Sequence, residues 1–243
     1  MESGETVDRA GARTVRVWDL PTRVFHWTLA LAVIGLVITA KVGGNAMEVH
    51  KKLGFLVLGL IVFRVIWGFV GSRHARFSSF VRGPATALAY FKSMKNGNAR
   101  RYLGHNPLGA WSVVALLTVV GFQATSGLFA DDDILMKGPY ADAVSSATSA
   151  LLTKLHKWNA NAIYALVGLH LAAVLFYVFV KRDNLIKAMF SGSKPVSAAD
   201  DVPAEPQASM MEMAEAPRPA WVFWLVAVVV ALTTIFVVTR KFG

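Results

Sequence analysis

The chain has 243 residues, of which 55% are apolar, with no cysteine and a formal net charge of +10. It is too apolar for an ordinary soluble domain and too short for a large transporter, which puts the membrane class first. Without cysteine there are no disulfides, no thiolate metal sites and no covalent c-type haem attachment, so any metal or cofactor must be held by other side chains. No aromatic-interleaved basic module points to nucleic acid, and the positive charge reads as contact with anionic membrane lipid.

In chain order, residues 1–23 form a polar tail, "MESGETVDRAGARTVRVWDLPTR", with neither an apolar core nor a small-residue cleavage site. No signal peptide is read there, and the first span is expected to be retained. Four segments are long and apolar enough to cross ~30 Å of hydrocarbon, namely Val24–Val42, Leu53–Val70, Gly109–Ala130 and Trp158–Val180. Residues 24–190 are therefore expected to form an all-α, four-helix membrane bundle with one longer loop between the second and third spans. Residues 191–219 turn to Ser, Ala, Met, acid and proline, with Pro195, Pro203, Pro206, Pro217 and Pro219, and read as a flexible linker. Residues 220–243 carry a fifth apolar run, Ala220–Thr239, without histidine or acid, read either as a membrane anchor or as a helix that recruits a partner subunit.

Lysine and arginine set the expected orientation. Arg9, Arg13, Arg16 and Arg23 precede the first span. Arg73, Arg76, Arg82, Lys92, Lys95, Arg100 and Arg101 lie between spans two and three, and Lys181, Arg182, Lys187 and Lys194 follow span four. The opposite side carries fewer bases and the acidic run Asp131, Asp132, Asp133. The N-terminus is thus expected in the cytoplasm of a bacterial inner membrane and the C-terminus, after five spans, in the periplasm.

The fourth span holds His156 and His170, fourteen residues apart in "KLHKWNANAIYALVGLHLAAVLF". Fourteen residues of helix rise ~21 Å and return to within ~40° of the same face, so the two imidazoles look into one side at two depths. Ionisable side chains inside a span face the bundle interior with a partner, and haem iron is a partner that satisfies a neutral imidazole. Two haems stacked across the membrane require two further histidines. His50, at the outer start of span two, meets the depth of His156, and His26, in the first turns of span one, belongs with His170. Arg64 lies fourteen residues after His50, at the inner level, where an intramembrane guanidinium suits an anion such as a haem propionate. Gly35, Gly54, Gly59 and Gly168 would let a flat porphyrin approach the backbone. His74 and His105 fall in the inside loop and read as solvated headgroup contacts. In "YLGHNPLG", His105 and Asn106 offer donors to a quinone carbonyl, but the pattern fits better a helix start with Asn106 as cap and Pro107 at the first position.

Together "VWDLPTRVFHW", "HKKLGFLVLGLIVFRVIWGFVG", "RRYLGHNPLGA" and the two-histidine fourth span resemble the prokaryotic cytochrome b561 family over about residues 15–190. The resemblance implies a four-helix dihaem protein that exchanges electrons with membrane quinone, with haem b axial ligands at His26, His50, His156 and His170 and the family's span-two arginine at Arg64. The Pro-rich linker and fifth span depart from the short members. The expected function is electron transfer between the quinone pool and a redox partner, a hydrogenase-like subunit or a cytochrome c. The alternative is a stand-alone quinone-linked oxidoreductase such as a superoxide oxidase; Lys51, Lys52, Lys154 and Lys157 around the outer ligands would attract a small anion such as superoxide, and would equally pair with haem propionates. A non-redox membrane protein is the remote alternative, and a homo-oligomer is left open.

Overall fold

Three of the long helices begin where a side chain caps them. The computed structural model describes residues 13–99, 101–133, 136–196 and 220–239. Helix α1, Leu20–Val42, starts with the Asp19 Oδ1 accepting the Thr22 N–H at 2.8 Å and with proline in its first turn. It ends at Gly43 and Gly44, whose φ values of 67° and 52° suit glycine and reverse the chain within a few residues into α2, Ala46–Val70. These two helices pack along each other as an antiparallel pair. Helix α5, Pro107–Gly127, is capped by Asn106, whose Oδ1 accepts the Gly109 N–H at 2.8 Å. Helix α6, Ser146–Phe179, is capped by Ser145 and packs along α5, while α5 also packs on α2.

The four helices α1, α2, α5 and α6 are each long and apolar enough to cross a membrane. They meet at mid-depth through Ala32, Val57, Ile61, Val120 and Ile163. Their outward faces are apolar as well, with Leu31, Ile34 and Ile38 on α1 and Leu169, Leu171, Leu175 and Phe179 on α6 all exposed. Such a surface is stable against lipid chains and costly against water, so the chain is an integral membrane protein.

The helices extend past their apolar windows. α6 has 34 residues and begins twelve residues before the expected start at Trp158. At ~1.5 Å per residue it is ~51 Å long, so its first turns stand past the hydrocarbon core, at the end of the bundle expected to face outward. There Ser149 donates to the Phe129 carbonyl and Thr153 exchanges hydrogen bonds with the Asp131 backbone, tying down the outer loop. α1 begins at Leu20 rather than Val24, which leaves His26 more than a turn inside its helix.

The inner side is more ordered than the sequence suggests. The segment expected as a long loop folds into a 3-10 turn at Arg73–Ala75, the short α3, Phe77–Phe80, and the twelve-residue α4, Pro84–Lys95, packed on α5. Within the expected tail, β1, Arg13–Arg16, pairs antiparallel with β2, Ser193–Val196, at the start of the expected linker. Four-residue strands are too short to announce themselves by alternation, and their pairing joins segments far apart in the chain. Before β2, helix α7, Leu185–Ser191, ends at Gly192 with φ 85°, whose carbonyl accepts the Val17 and Trp18 N–H groups. Lys194 is sealed beneath this ribbon, its ammonium 3.0 Å from Asp183 Oδ2, and Arg101 lies 3.6 Å from Asp183 Oδ1.

The remainder of the linker, 197–219, lies outside the described residues, as do 1–12 and 240–243. Helix α8, Ala220–Thr239, packs on α2. Its Phe223 meets Phe63 and Trp67 edge-on at 6.1 and 6.2 Å, and Val226 and Val230 join Phe25 in the same cluster.

Candidate cofactor sites

α6 carries His156 and His170 on one side, and each meets a histidine from the α1–α2 pair. The ring centres of His50 and His156 are 6.4 Å apart with planes at 75°, and those of His26 and His170 are 6.4 Å apart at 52°. Two imidazoles bound on opposite sides of one metal, each nitrogen at ~2 Å, put their ring centres ~6 Å apart. Neither α1 nor α2 packs along α6, so the histidines face each other across a gap between helices. A Cβ built on Gly54 or Gly168 meets nothing within 4 Å, which leaves room for a flat group. Among the described residues, no three His, Cys, Asp or Glu side chains gather. A metal held between these rings would find two nitrogens at each level, and its remaining ligands would have to come with a cofactor, as they do in haem.

At the outer level the chain orients both imidazoles. His50 Nδ1 lies 3.1 Å from the Leu36 carbonyl and 3.1 Å from Thr39 Oγ1. His156 Nδ1 lies 3.0 Å from the Gln123 carbonyl and 3.2 Å from Ser126 Oγ. A proton on Nδ1 shared with these oxygens leaves the Nε2 lone pair as the coordinating atom, the arrangement of a ligating imidazole with its supporting carbonyl. The Gln123 side-chain amide sits 3.1 Å from His156 Nε2, and its Oε1 accepts from the buried Asn159 at 2.7 Å. A metal held on Nε2 would displace that amide contact and leave those to Nδ1 in place. Gly127 is part of the same fit, since a Cβ there would stand 3.0 Å from His156 Cε1.

The inner level is different. His26 Nδ1 is sealed from solvent and has no hydrogen-bond partner. Arg64 is 3% exposed, its guanidinium carbon lies 4.9 Å over the Phe77 ring, and its Nη1 is sealed and unpartnered. Two residues at the start of α1 add further sealed polar atoms, Thr22 Oγ1 and Arg23 Nε, although another Arg23 nitrogen donates to the Phe190 carbonyl.

His105 is not a solvated headgroup contact as expected, while His74 is half-buried. His105 is wedged between Trp18 at 4.7 Å and Phe80 at 4.6 Å with its Nδ1 sealed and unpartnered, and His74 meets Trp18 edge-on at 6.5 Å. The ring contacts with Trp18 and Phe80, and the packing of Leu103 with Val17, Trp18 and Ala188, enclose His105. Burial holds the His105 pKa down to about 3, helped by the charges of Arg64, His74, His170 and Lys194, so the ring stays neutral. Asn106 is committed as the α5 cap, and its Nδ2 donates to the Tyr177 hydroxyl at 2.8 Å. On the outer face Lys51 pairs with Glu48 at 3.2 Å, and Lys137 bridges Asp131 and Asp142.

The carbonyls of Leu36 and Gln123, together with Thr39, Ser126, Asn159 and Gly127, went unnoticed in the sequence. Only the polar residues gave a signal, as the few hydrogen-bonding side chains within apolar spans, with Asn159 one turn after His156.

Apolar helices that bring opposed imidazoles together within the bilayer are the architecture of a membrane cytochrome b. The family model of prokaryotic cytochrome b561 matches residues 17–192, and the chain belongs to that family. It is similar to a probable Ni/Fe-hydrogenase B-type cytochrome subunit of Azotobacter vinelandii, 25% identical over 79% of this chain and 93% of the relative. The corresponding protein of Rhodobacter capsulatus is 24% identical over 74% of this chain and 81% of its own. Cytochrome b561 homolog 2 of Escherichia coli K12 is 26% identical over 70% and 88%. No solved structure gives a significant match. The protein is a membrane cytochrome b, a haem b protein of electron transfer.

Proposed function

We propose that this chain is a dihaem cytochrome b that moves electrons between the quinone pool and a redox partner, with His50 and His156 as the axial ligands of an outer haem and His26 and His170 as those of an inner one. The observation that carries this reading is the equal 6.4 Å ring separation at two depths. Haem b supplies one-electron Fe(III)/Fe(II) chemistry when bound. The chain's own share is to present neutral Nε2 atoms from both sides, to fix the outer tautomers through the Leu36 and Gln123 carbonyls, and to keep water out with the apolar mid-depth cluster. The hydrogenase cytochrome subunits among the relatives favour a hydrogenase-like partner. Residues 24–190 are the dihaem unit, 191–219 the linker and 220–243 a fifth span. The charge distribution supports an inner-membrane protein with a cytoplasmic N-terminus and a periplasmic C-terminus.

Purified full-length chain should show a reduced b-type α-band. Pyridine haemochrome counting after acid–acetone extraction should give two haems per chain. One per chain would remove half of the assignment, and none would remove the function.

A further inference from the structure

A cleft of about 520 Å³ runs between α2, α3 and α5, lined by Val65 of α2, Phe77 and Ser78 of α3, Val81, and Val114 and Thr118 of α5. It opens toward lipid, since Val65 is 41% exposed and Thr118 is exposed as well. The Thr118 hydroxyl is spent on the Val114 carbonyl at 2.9 Å, so this wall asks for no polar partner. Among the described residues the wall takes nothing from α8, although that helix also packs on α2. An empty recess forfeits the dispersion contacts of its lining, and in hydrocarbon the group at hand to restore them is an aliphatic chain.

The depth of the cleft fits one leaflet. Trp111 is 40% exposed and donates its indole N–H to the Arg82 carbonyl at 3.1 Å, which suits the boundary between membrane and water. Thr118 stands seven residues further along α5, ~10 Å deeper, and half of the hydrocarbon is ~15 Å thick. The cleft therefore starts at the boundary and stops before the midplane. Its rim is basic. Arg82 is exposed, and its guanidinium donates to the Ser78 and Ser79 carbonyls at 3.1 and 3.2 Å. Both acceptors are uncharged, and the chain has no aspartate or glutamate between Glu48 and Asp131. α4 adds Lys92 and Lys95 beside exposed Leu88 and Phe91, the composition of a helix lying in the headgroup plane.

We propose that this cleft binds one anionic phospholipid of the leaflet that meets α3 and α4, with its phosphate on Arg82 and one acyl chain laid between α2 and α5. A phosphodiester brings both parts at once, charged oxygens for a guanidinium and a chain for the recess. Phe77 is also the ring under the Arg64 guanidinium, at 4.9 Å, so a chain in the cleft backs the aromatic cover of the inner level. The site uses none of the four opposed histidines and does not depend on the number of haems.

The experiment titrates delipidated full-length protein in detergent with phosphatidylglycerol or phosphatidylcholine and reads the first bound lipid by native mass spectrometry. Wild type should prefer the first phosphatidylglycerol about fivefold, the worth of one base near an anionic membrane surface. Arg82→Gln should abolish the preference and Arg82→Lys should keep most of it. Val114→Trp, which fills the recess, should weaken the first binding of both lipids, and Val81→Trp takes its place where that variant does not accumulate. Lys181→Gln removes an equal charge outside the cleft and should change nothing. An unchanged preference in Arg82→Gln, unchanged binding in the filled variants, or an equal loss in Lys181→Gln would overturn the proposal. So would loss of copurifying isoprenoid quinone from Val114→Trp with phosphatidylglycerol binding intact, which would give the recess to a quinone tail. A preparation without haem would sink the function proposed above and leave this site standing.

Discussion

The outer end of the bundle satisfies its histidines from its own backbone, while the inner end leaves buried donors unmatched and covers them with aromatic rings. His156 is enclosed by Gln123, Ser126 and Asn159, every one of them hydrogen-bonded. His26, Arg64 and His105 each keep a sealed polar atom without a partner. An unmatched buried donor costs ~1–3 kcal/mol, so a structure retains several in one neighbourhood only if something else repays them. At the outer end the network acts on ligand geometry. At the inner end the sealed polar atoms of His26 and Arg64 stay unmatched, and the β1–β2 ribbon with the Trp18–His105–Phe80 stack forms the lid of that end.

The largest effect expected is the loss of a whole site. Alanine at any one of His26, His50, His156 and His170 should lower the haem count from two to one. Which absorption band disappears should follow the level of the residue, outer for His50 and His156 and inner for the others.

Next is the lid. Lys194 and Asp183 have side chains only 3% and 10% exposed, and breaking a buried ion pair from one side costs ~3–5 kcal/mol. Lys194→Met should lower the melting temperature in detergent and loosen the inner haem while sparing the outer one. The double change with Asp183→Leu should recover most of the loss. Equal damage to both haems would show that the ribbon supports the whole bundle rather than its inner end.

A pH dependence follows from His105. Its folded-state pKa of about 3 lies below the ordinary 6.5, so the unfolded chain binds the proton more readily. The contribution of the neutral ring is fully present above pH 6.5 and is lost as pH falls from there toward 3. Thermal stability should therefore decline with acid across that window, and His105→Phe, which keeps the ring packing, should flatten the decline. An unchanged profile would mean that the ring reaches solvent.

The smallest effect belongs to a helix start. Asn106→Ala removes the α5 cap and the donor to Tyr177, a loss of ~1 kcal/mol in stability with both haems retained.

The long elements were legible because lipid imposes a continuous apolar run, and α1, α2, α5 and α6 each contain one. Their ends were not, since capping by Asp19 and Ser145 lies beyond the apolar window, and α6 gained three turns in consequence. The meeting of His50 with His156 and of His26 with His170 followed from spacing and sidedness. Arg64 stood out as a lone base in a span. The placement of His74 and His105 was not legible, because only pairing between residues 13–16 and 193–196, far apart in sequence, closes the lid above them. The carbonyls of Leu36 and Gln123 could not be read at all, as any residue supplies a carbonyl and only the packing of neighbouring helices aims it.

The central claim is that four histidines form two sites, paired by depth, and haem counting on double variants tests the pairing itself. His50→Ala/His156→Ala strikes one site twice and should retain one haem per chain, with its low-spin bis-imidazole resonance. His26→Ala/His170→Ala should do the same with the other haem. His50→Ala/His26→Ala strikes both sites and should retain none. Loss of both haems from the His50/His156 double variant in a chain that still folds, or survival of a bis-imidazole haem in the His50/His26 one, would contradict the account.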